Sequence, residues 1–310
     1  PEDVEQQIVA LRSDNPGWGA KTLRKKLEND GVHGLPSVKT VNNILHRYGC
    51  ISVEESRKRQ AFTRFEKDAC NDMWQTDFKG EFRMEDGNYC YPLTILDDHA
   101  RFSLAIVPRS GTKNVVIPAF LEVFRQYGLP KSILSDNGFK RGYTQFERLL
   151  MELDILPIHG RMKHPQTQGK IERFHRTMNQ ELLKHVTMHD IDDACEQFRL
   201  WRQKYNNVRP HEALGMKTPA EVYIPSDRQL PEKIAPWEYG GEYHVIKVNS
   251  WGYVRFDKWQ IYLSQTMIDQ YIEFRPNPDG ESFSACFRNF RIAEFKTENG
   301  ELIHRNIARL

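Results

Sequence analysis

Residues 73–82 read MWQTDFKGEF, the alternation of a half-buried strand with an aspartate near its centre. Trp74, Thr76 and Phe78 fall on one face and Asp77 on the other. Aspartate is disfavoured between Trp and Phe in a strand. An unpaired carboxylate in a sheet costs several kcal/mol or must be neutralised, and a divalent cation shared between carboxylates removes that cost. The reading of Asp77 therefore bears on both fold and chemistry.

Outward from this strand, CYPLTILDDHA (90–100) and RFSLAIVP (101–108) read as two more strands, the first reached through an EDGN hairpin turn. TKNVVIPAFLEVFRQYG (112–128) is an amphipathic helix stopped by Gly128, and KSILSD (131–136) a short buried strand. YTQFERLLMELD (143–154) is a second helix and ILPIHG (155–160) a last strand. A helix opened by Gly169 and another over DIDDACEQFRLWRQKYN (190–206) complete the segment. Three antiparallel strands followed by alternating helices and strands predict a mixed α/β sheet covered by helices, spanning 69–225.

Flanking segments differ in kind. Residues 1–49 hold three apolar-periodic pieces, about 3–12, 19–29 and 37–48, broken by NPGWG and DGVHGLPS. Ser37 is the expected N-cap of the third and Gly49 its stop. The pattern fits a helix-turn-helix module presenting Ser37, Lys39, Thr40 and Asn43, or an ordinary small helical bundle. Residues 50–68 form a linker whose Arg57, Lys58, Arg59, Arg64 and Lys67 are able to lie on phosphates, or simply to be solvated. Residues 226–310 begin with a Pro-bearing connection and become rich in β-branched and aromatic residues, with turns at NSWG, NPDG and TENG. That pattern predicts a small all-β, SH3-like barrel. Lys247, Arg255 and Lys258 are its candidate phosphate contacts.

Composition narrows the class. At 310 residues, 39% apolar and 28% charged, the chain can bury two or three cores. No apolar run reaches membrane length, and residues near the N-terminus lack the apolar core of a signal peptide. The chain begins at Pro1 rather than Met, as expected of a trimmed end. Five scattered cysteines without a CxxC pair predict reduced thiols and no zinc knuckle. With a net charge of only +2, nucleic-acid affinity has to come from local patches.

Two further acids join Asp77. Asp136 follows the strand SIL in SDNG, which is also a strong turn tetrapeptide. Glu172 lies in HPQTQGKIERFHRTMNQELLKH (164–185), on a helix whose buried stripe is Ile171, Phe174, Met178 and Leu182. Glu172 stands about 100° from Ile171, so it looks out of the core beside His175 and Arg176. Pairing with Arg176 or the helix dipole is its plainer role. Oxygen ligands at this density favour Mg²⁺ or Mn²⁺ over zinc. Asp97 and Asp98 are expected to cap a turn or pair with Arg101. His185 and His189 lack the glutamate or cysteines of a zinc site.

WQTDFKG, LSDNG and HPQTQGKIERFHRT resemble the three motifs of DDE transposases and retroviral integrases, whose core is ribonuclease-H-like. Asp136 and Glu172 have 35 residues between them, the spacing of that family. YNNVRPHEALGMKTPAEVY (205–223) is similar to the segment closing the catalytic domain of integrase-like insertion-sequence transposases. The N-terminal His₂Cys₂ zinc site of retroviral integrases is absent, which favours the bacterial branch. The resemblance implies a DNA transposase that nicks transposon ends and joins their 3′-hydroxyls to target DNA. Asp77, Asp136 and Glu172 would hold two Mg²⁺ or Mn²⁺ ions. Lys163, Lys170, Arg173 and Arg176 would grip phosphates nearby, the linker cations would track the backbone, and Lys39, Thr40 and Asn43 would meet base edges. Double-stranded DNA, as transposon ends and target, is the implied partner, bridged by a homodimer or larger assembly, with a helper ATPase left open. The implied location is the bacterial cytoplasm, at the nucleoid. A ribonuclease-H-type nuclease without strand transfer and an inactive DNA-binding regulator are the alternatives.

Overall fold

A computed structural model describes residues 2–51, 67–111, 114–135, 144–159 and 169–310. Three helices open the chain: α1 (Glu2–Asp14), α2 (Ala20–Asn29) and α3 (Val38–Arg47). Ser37 caps α3 by accepting from Thr40 N at 3.2 Å, and Gly49 ends it at φ +69°. Val4, Ile8, Trp18, Leu23, Leu27, Val41, Ile44 and Leu45 form the core of this module. Arg12 fastens the turns, its guanidinium donating to Trp18 O at 2.7 Å and Cys50 O at 3.0 Å.

The central sheet has the order β5-β4-β1-β6-β7, with strands β1 (Trp74–Phe78), β4 (Leu93–Asp97), β5 (Ser103–Val107), β6 (Ser132–Ser135) and β7 (Leu156–His159). β4 and β5 pair antiparallel while β6 and β7 pair parallel, so the sheet is mixed as expected. The EDGN turn closes a separate hairpin, β2 (Phe82–Arg83) with β3 (Tyr89–Cys90).

By compactness the chain divides into two units, residues 1–70, 75–115 and 164–225, and residues 71–74, 116–163 and 226–310. In the first unit, α6 (Gly169–Met178) continues into a π-helical turn (Asn179–Leu183) and is followed by α7 (Ile191–Asn207). Ile171, Phe174, Met178 and Leu182 are buried, the predicted stripe. Phe174 packs against Trp201 and Tyr205, ring centroids 5.5 and 5.0 Å away. Asn206 is buried and pairs both ways with the Ser103 backbone, tying α7 to β5. The helical module meets this unit through its NPGWG turn. Lys204 donates to Asp14 O at 2.9 Å and lies over the Trp18 ring, and Arg209 is paired with buried Glu181 at 2.7 Å.

The second unit holds α4 (Val116–Tyr127), α5 (Gln145–Glu152) and the C-terminal strands. Thr144 and Glu147 form a capping box that starts α5. Strands β8 (His244–Lys247), β11 (Tyr271–Pro276), β12 (Ser282–Phe287), β13 (Phe290–Lys296) and β14 (Leu302–Arg309) form an antiparallel sheet of order β14-β13-β12-β11-β8. The barrel expected for this region does not close. β9 (Tyr253–Phe256) and β10 (Trp259–Tyr262) pair only with each other, because the tight turn at 249–252 leads the chain off β8. The hairpin is held to the sheet by aromatic packing rather than a ladder: Phe256 stacks on Phe274 at 4.5 Å and meets Phe283 at 4.8 Å.

Gly128 should be intolerant of substitution. Its φ is +77°, and an added Cβ would lie 2.5 Å from Ser226 O and 2.8 Å from Arg228 O, both backbone atoms. Gly128→Ala is expected to destabilise by more than about 1 kcal/mol, read as a lower denaturation midpoint at unchanged slope.

Stability should also fall in acid through His211. This side chain is buried with Nε2 unpartnered, and burial pushes its pKa down to about 3. An unfolded histidine takes up a proton near pH 6.5, the folded one only near 3, so between these values the unfolded state binds more protons. The contribution is complete above about pH 6.5 and is lost as pH falls toward 3, at no more than about 1.4 kcal/mol per pH unit. His211→Leu should flatten that slope in denaturant titrations across the window.

Candidate active site

Side-chain alternation along β1 places Gln75 and Asp77 on one face and Trp74, Thr76 and Phe78 on the other. Thr76 donates to Thr94 O at 3.0 Å, fastening β1 to β4. Asp77 is half-buried, its side chain 25% exposed. Helix α6 packs its Ile171 stripe inward and leaves Glu172 exposed in its first turn. Among the described residues, no ion pair joins Glu172 to Arg176.

His175, one turn beyond Glu172, brings α6 to Asp77. Its Nδ1 stands 4.0 Å from Asp77 Oδ2, and its Nε2 lies 2.7 Å from Thr94 Oγ1. Thr94 Oγ1 donates its single proton to Asp77 O at 2.9 Å, so His175 Nε2 must donate to the hydroxyl. Nδ1 then presents a lone pair toward the carboxylate. Burial, with the Lys79 charge adding to it, pushes the His175 pKa down to about 4, so the ring is neutral at pH 7. The hard carboxylate oxygens of Asp77 and Glu172 are of the kind that suits a divalent cation.

The first turn of α6 is fixed by a second cluster. Asp98, fully buried, accepts from Gln75 Nε2 at 2.7 Å, Lys67 N at 2.8 Å and Lys170 Nζ at 2.5 Å. Gln75 Oε1 in turn accepts from Ile171 N at 3.2 Å. This corrects one expectation. Asp98 pairs with Lys170 rather than Arg101, and the Lys170 side chain, expected among the phosphate contacts, is 14% exposed in this pair. Asp97 does cap a turn, accepting from Ala100 N at 2.7 Å. His189 pairs with Glu85, and His185 meets Gln180 O.

The remaining candidates are scattered. Asp136, which follows Ser135 at the end of β6, lies outside the described residues, as do Arg57, Lys58, Arg59, Arg64 and Lys163. No group of three metal-capable side chains occurs among the described residues, of which Asp136 is not one. Arg173 and Arg176 are exposed on α6, and Lys39, Thr40 and Asn43 on α3. Lys67 is half-buried. The sequence reading missed Gln75, Thr94 and His175. The signals were the i, i+2 spacing of Gln75 to Asp77 and the i, i+3 spacing of Glu172 to His175.

Two family models, both described as integrase core domain, match residues 67–165 and 153–219. The 31.7 kDa protein of insertion element IS407 from Burkholderia multivorans is 24% identical over 71% of this chain and 80% of its own length. The 39.2 kDa protein of insertion element IS476 from Xanthomonas euvesicatoria is 25% identical over 55% of this chain and 49% of its length. Among solved structures, the simian T-cell lymphotropic virus intasome bound to PP2A regulatory subunit B56 gamma is similar at 16% identity and a TM-score of 0.45, over 87% of this chain and 93% of that one. No described helix is long and apolar enough to cross a membrane. Residues 67–219 thus match the integrase core domain, and these likenesses support an integrase-like transposase of an insertion sequence.

Proposed function

We propose that the protein nicks the ends of its element and joins the freed 3′-hydroxyls to target DNA, with Asp77, Asp136 and Glu172 as the acid triad. The observation that carries this is the placement of α6 on β1, which sets a solvent-facing glutamate one turn from a histidine that touches Asp77. Integrase cores work with divalent metal ions. Two Mg²⁺ or Mn²⁺ ions held by the triad would supply Lewis-acid activation of the attacking and leaving oxygens. The chain itself supplies the rest. Gln75, Thr94 and His175 hold β1 and α6 together, the neutral His175 adds no positive charge beside Asp77, and the exposed Arg173 and Arg176 offer phosphate contacts. Water is the nucleophile for nicking and the 3′-hydroxyl for joining, so no covalent protein–DNA link forms. Two element ends must reach nearby target phosphates together, which calls for a dimer or larger assembly on DNA.

Asp77→Asn, Asp136→Asn and Glu172→Gln should each reduce strand transfer from a pre-nicked end into a plasmid by more than tenfold. The melting temperature should be unchanged or higher, since each removes like-charge repulsion while keeping shape. Retained activity in any one removes that residue from the triad. Nicking without any joined product would instead favour the nuclease reading.

Residues 1–68 should supply the sequence preference for element ends. Substituting Lys39, Thr40 and Asn43 together is expected to relax that preference, while neutralising Arg57, Lys58, Arg59 and Arg64 should weaken binding to all sequences and flatten its salt dependence. Footprinting on element ends checks both. Equal selectivity from a chain starting near residue 69 would reassign recognition to the core.

A further inference from the structure

Asp98 is the meeting point of three segments far apart in the chain. Its two carboxylate oxygens take hydrogen bonds from the backbone of Lys67, the side chain of Gln75 on β1 and the ammonium of Lys170 on α6. Lys170 donates a second time, to Asp98 O at 3.2 Å, and His99 Nδ1–H donates to Lys67 O at 2.9 Å. Gln75 works at both ends: its amide N–H goes to Asp98, and its carbonyl takes Ile171 N–H. That N–H is one of the first four of α6, which have no partner within the helix. Its centre is buried: Gln75 is 1% exposed and Asp98 0%, with the Lys170 side chain at 14%.

The position of the cluster gives it a role beyond filling space. Gln75 precedes Asp77 by two residues on the same face of β1. Lys170 and Ile171 are the two residues immediately before Glu172. A rotation of the α6 first turn, or a slide of α6 along β1, would have to break the Gln75–Ile171 bond and separate the buried charges of Asp98 and Lys170. Leaving one such charge unpaired is strongly unfavourable. We propose that Gln75, Asp98 and Lys170 are positioning residues that hold the first turn of α6, and so Glu172, in fixed register with Asp77. This rests on the assignment of Asp77 and Glu172 as the acids of the site. It also gives Lys170 a duty different from the phosphate contact that its place in a basic stretch suggests.

The test uses the full chain carrying Gln75→Met or Lys170→Met, alongside Asp77→Asn and Glu172→Gln. Gln75→Met keeps volume, introduces no charge and removes both bonds, so it is the variant that folds most readily. The double variant Asp98→Asn with Lys170→Met removes both buried charges together and serves where Lys170→Met alone melts early. Four quantities are read: strand-transfer rate, affinity for end DNA with its salt slope, binding of Mn²⁺ alone to the free protein by electron paramagnetic resonance, and amide exchange over residues 169–176. Gln75→Met is expected to slow strand transfer at least tenfold, weaken Mn²⁺ binding at least threefold and speed exchange in the first turn of α6. DNA affinity should stay within twofold at an unchanged salt slope. The double variant should transfer strands faster than Lys170→Met. A Lys170→Met protein that binds DNA more weakly with a salt slope lower by about one, and keeps its Mn²⁺ affinity, would make Lys170 a phosphate contact and overturn the proposal. Unchanged rate, Mn²⁺ affinity and exchange in Gln75→Met, with Asp77→Asn and Glu172→Gln inactive, would remove this inference and leave the acids in place. Full activity in Asp77→Asn or Glu172→Gln would remove the acids and this inference together.

Discussion

The contact between α6 and β1 sets most of what matters in the first unit. A helix with an apolar stripe of Ile171, Phe174, Met178 and Leu182 has to lay that stripe on something, and the aromatic side chains of Trp201 and Tyr205 together with the sheet provide it. Once the stripe is down, helical geometry decides the rest. Glu172 and Arg173 are turned outward, Arg176 with them, while His175 is brought over Asp77. Polar groups then remove the remaining freedom. Hydrophobic burial alone is non-directional and would tolerate a helix shifted along its groove. The bonds from Gln75 to Ile171 and from His175 to Thr94 are directional and do not.

Much of this architecture was legible from local pattern. The three N-terminal helices lie within two residues of their expected bounds, Ser37 caps as predicted, and Gly49 and Gly128 stop helices at positive φ. The stripe on α6 and the outward position of Glu172 follow from period alone, while the turn at EDGN follows from its residues, though it closes β2 on β3. What escaped was long-range. Asp98 and Lys170 are 72 residues apart, and nothing in an aspartate's neighbours says which distant cation will reach it. The expected role, capping a turn or pairing with Arg101, holds for Asp97 as a cap but not for Asp98. The C-terminal region shows the same limit in another form. Its strands were legible from turns and aromatics, but barrel closure depends on whether the two ends of a sheet meet, and short strands β9 and β10 form a hairpin of their own.

Some of the charge in the basic segments of this chain is paired inside the fold. Lys170 and Arg209 both sit in segments rich in basic residues, yet both are paired with buried carboxylates, Asp98 and Glu181. Their work is structural: one orders the first turn of α6, the other holds the turn around Trp18 against the unit. Glu181 shows how far inside that second pair lies, since burial pushes its pKa up even with Arg209 against it. Burying such a pair brings little net stability, but breaking it leaves an uncompensated charge, so its strength is in specifying one arrangement.

The cations that remain at the surface are then more informative than the total. A net charge of +2 on 310 residues produces no general attraction for a polyanion. Arg173 and Arg176 are exposed on the same helical turns as Glu172, and Lys39 is exposed on α3 beside Thr40 and Asn43. Under the proposed function, phosphate affinity at those points would act on DNA lying along α6 or α3. An even spread of charge would hold DNA anywhere on the surface, including where no acid can reach it. Under the proposed function, phosphate contacts at Arg173 and Arg176 would tie binding to the neighbourhood of Glu172. On the proposed assignment the Lys170–Asp98 pair would then act on the site indirectly, by holding the turn that carries Glu172.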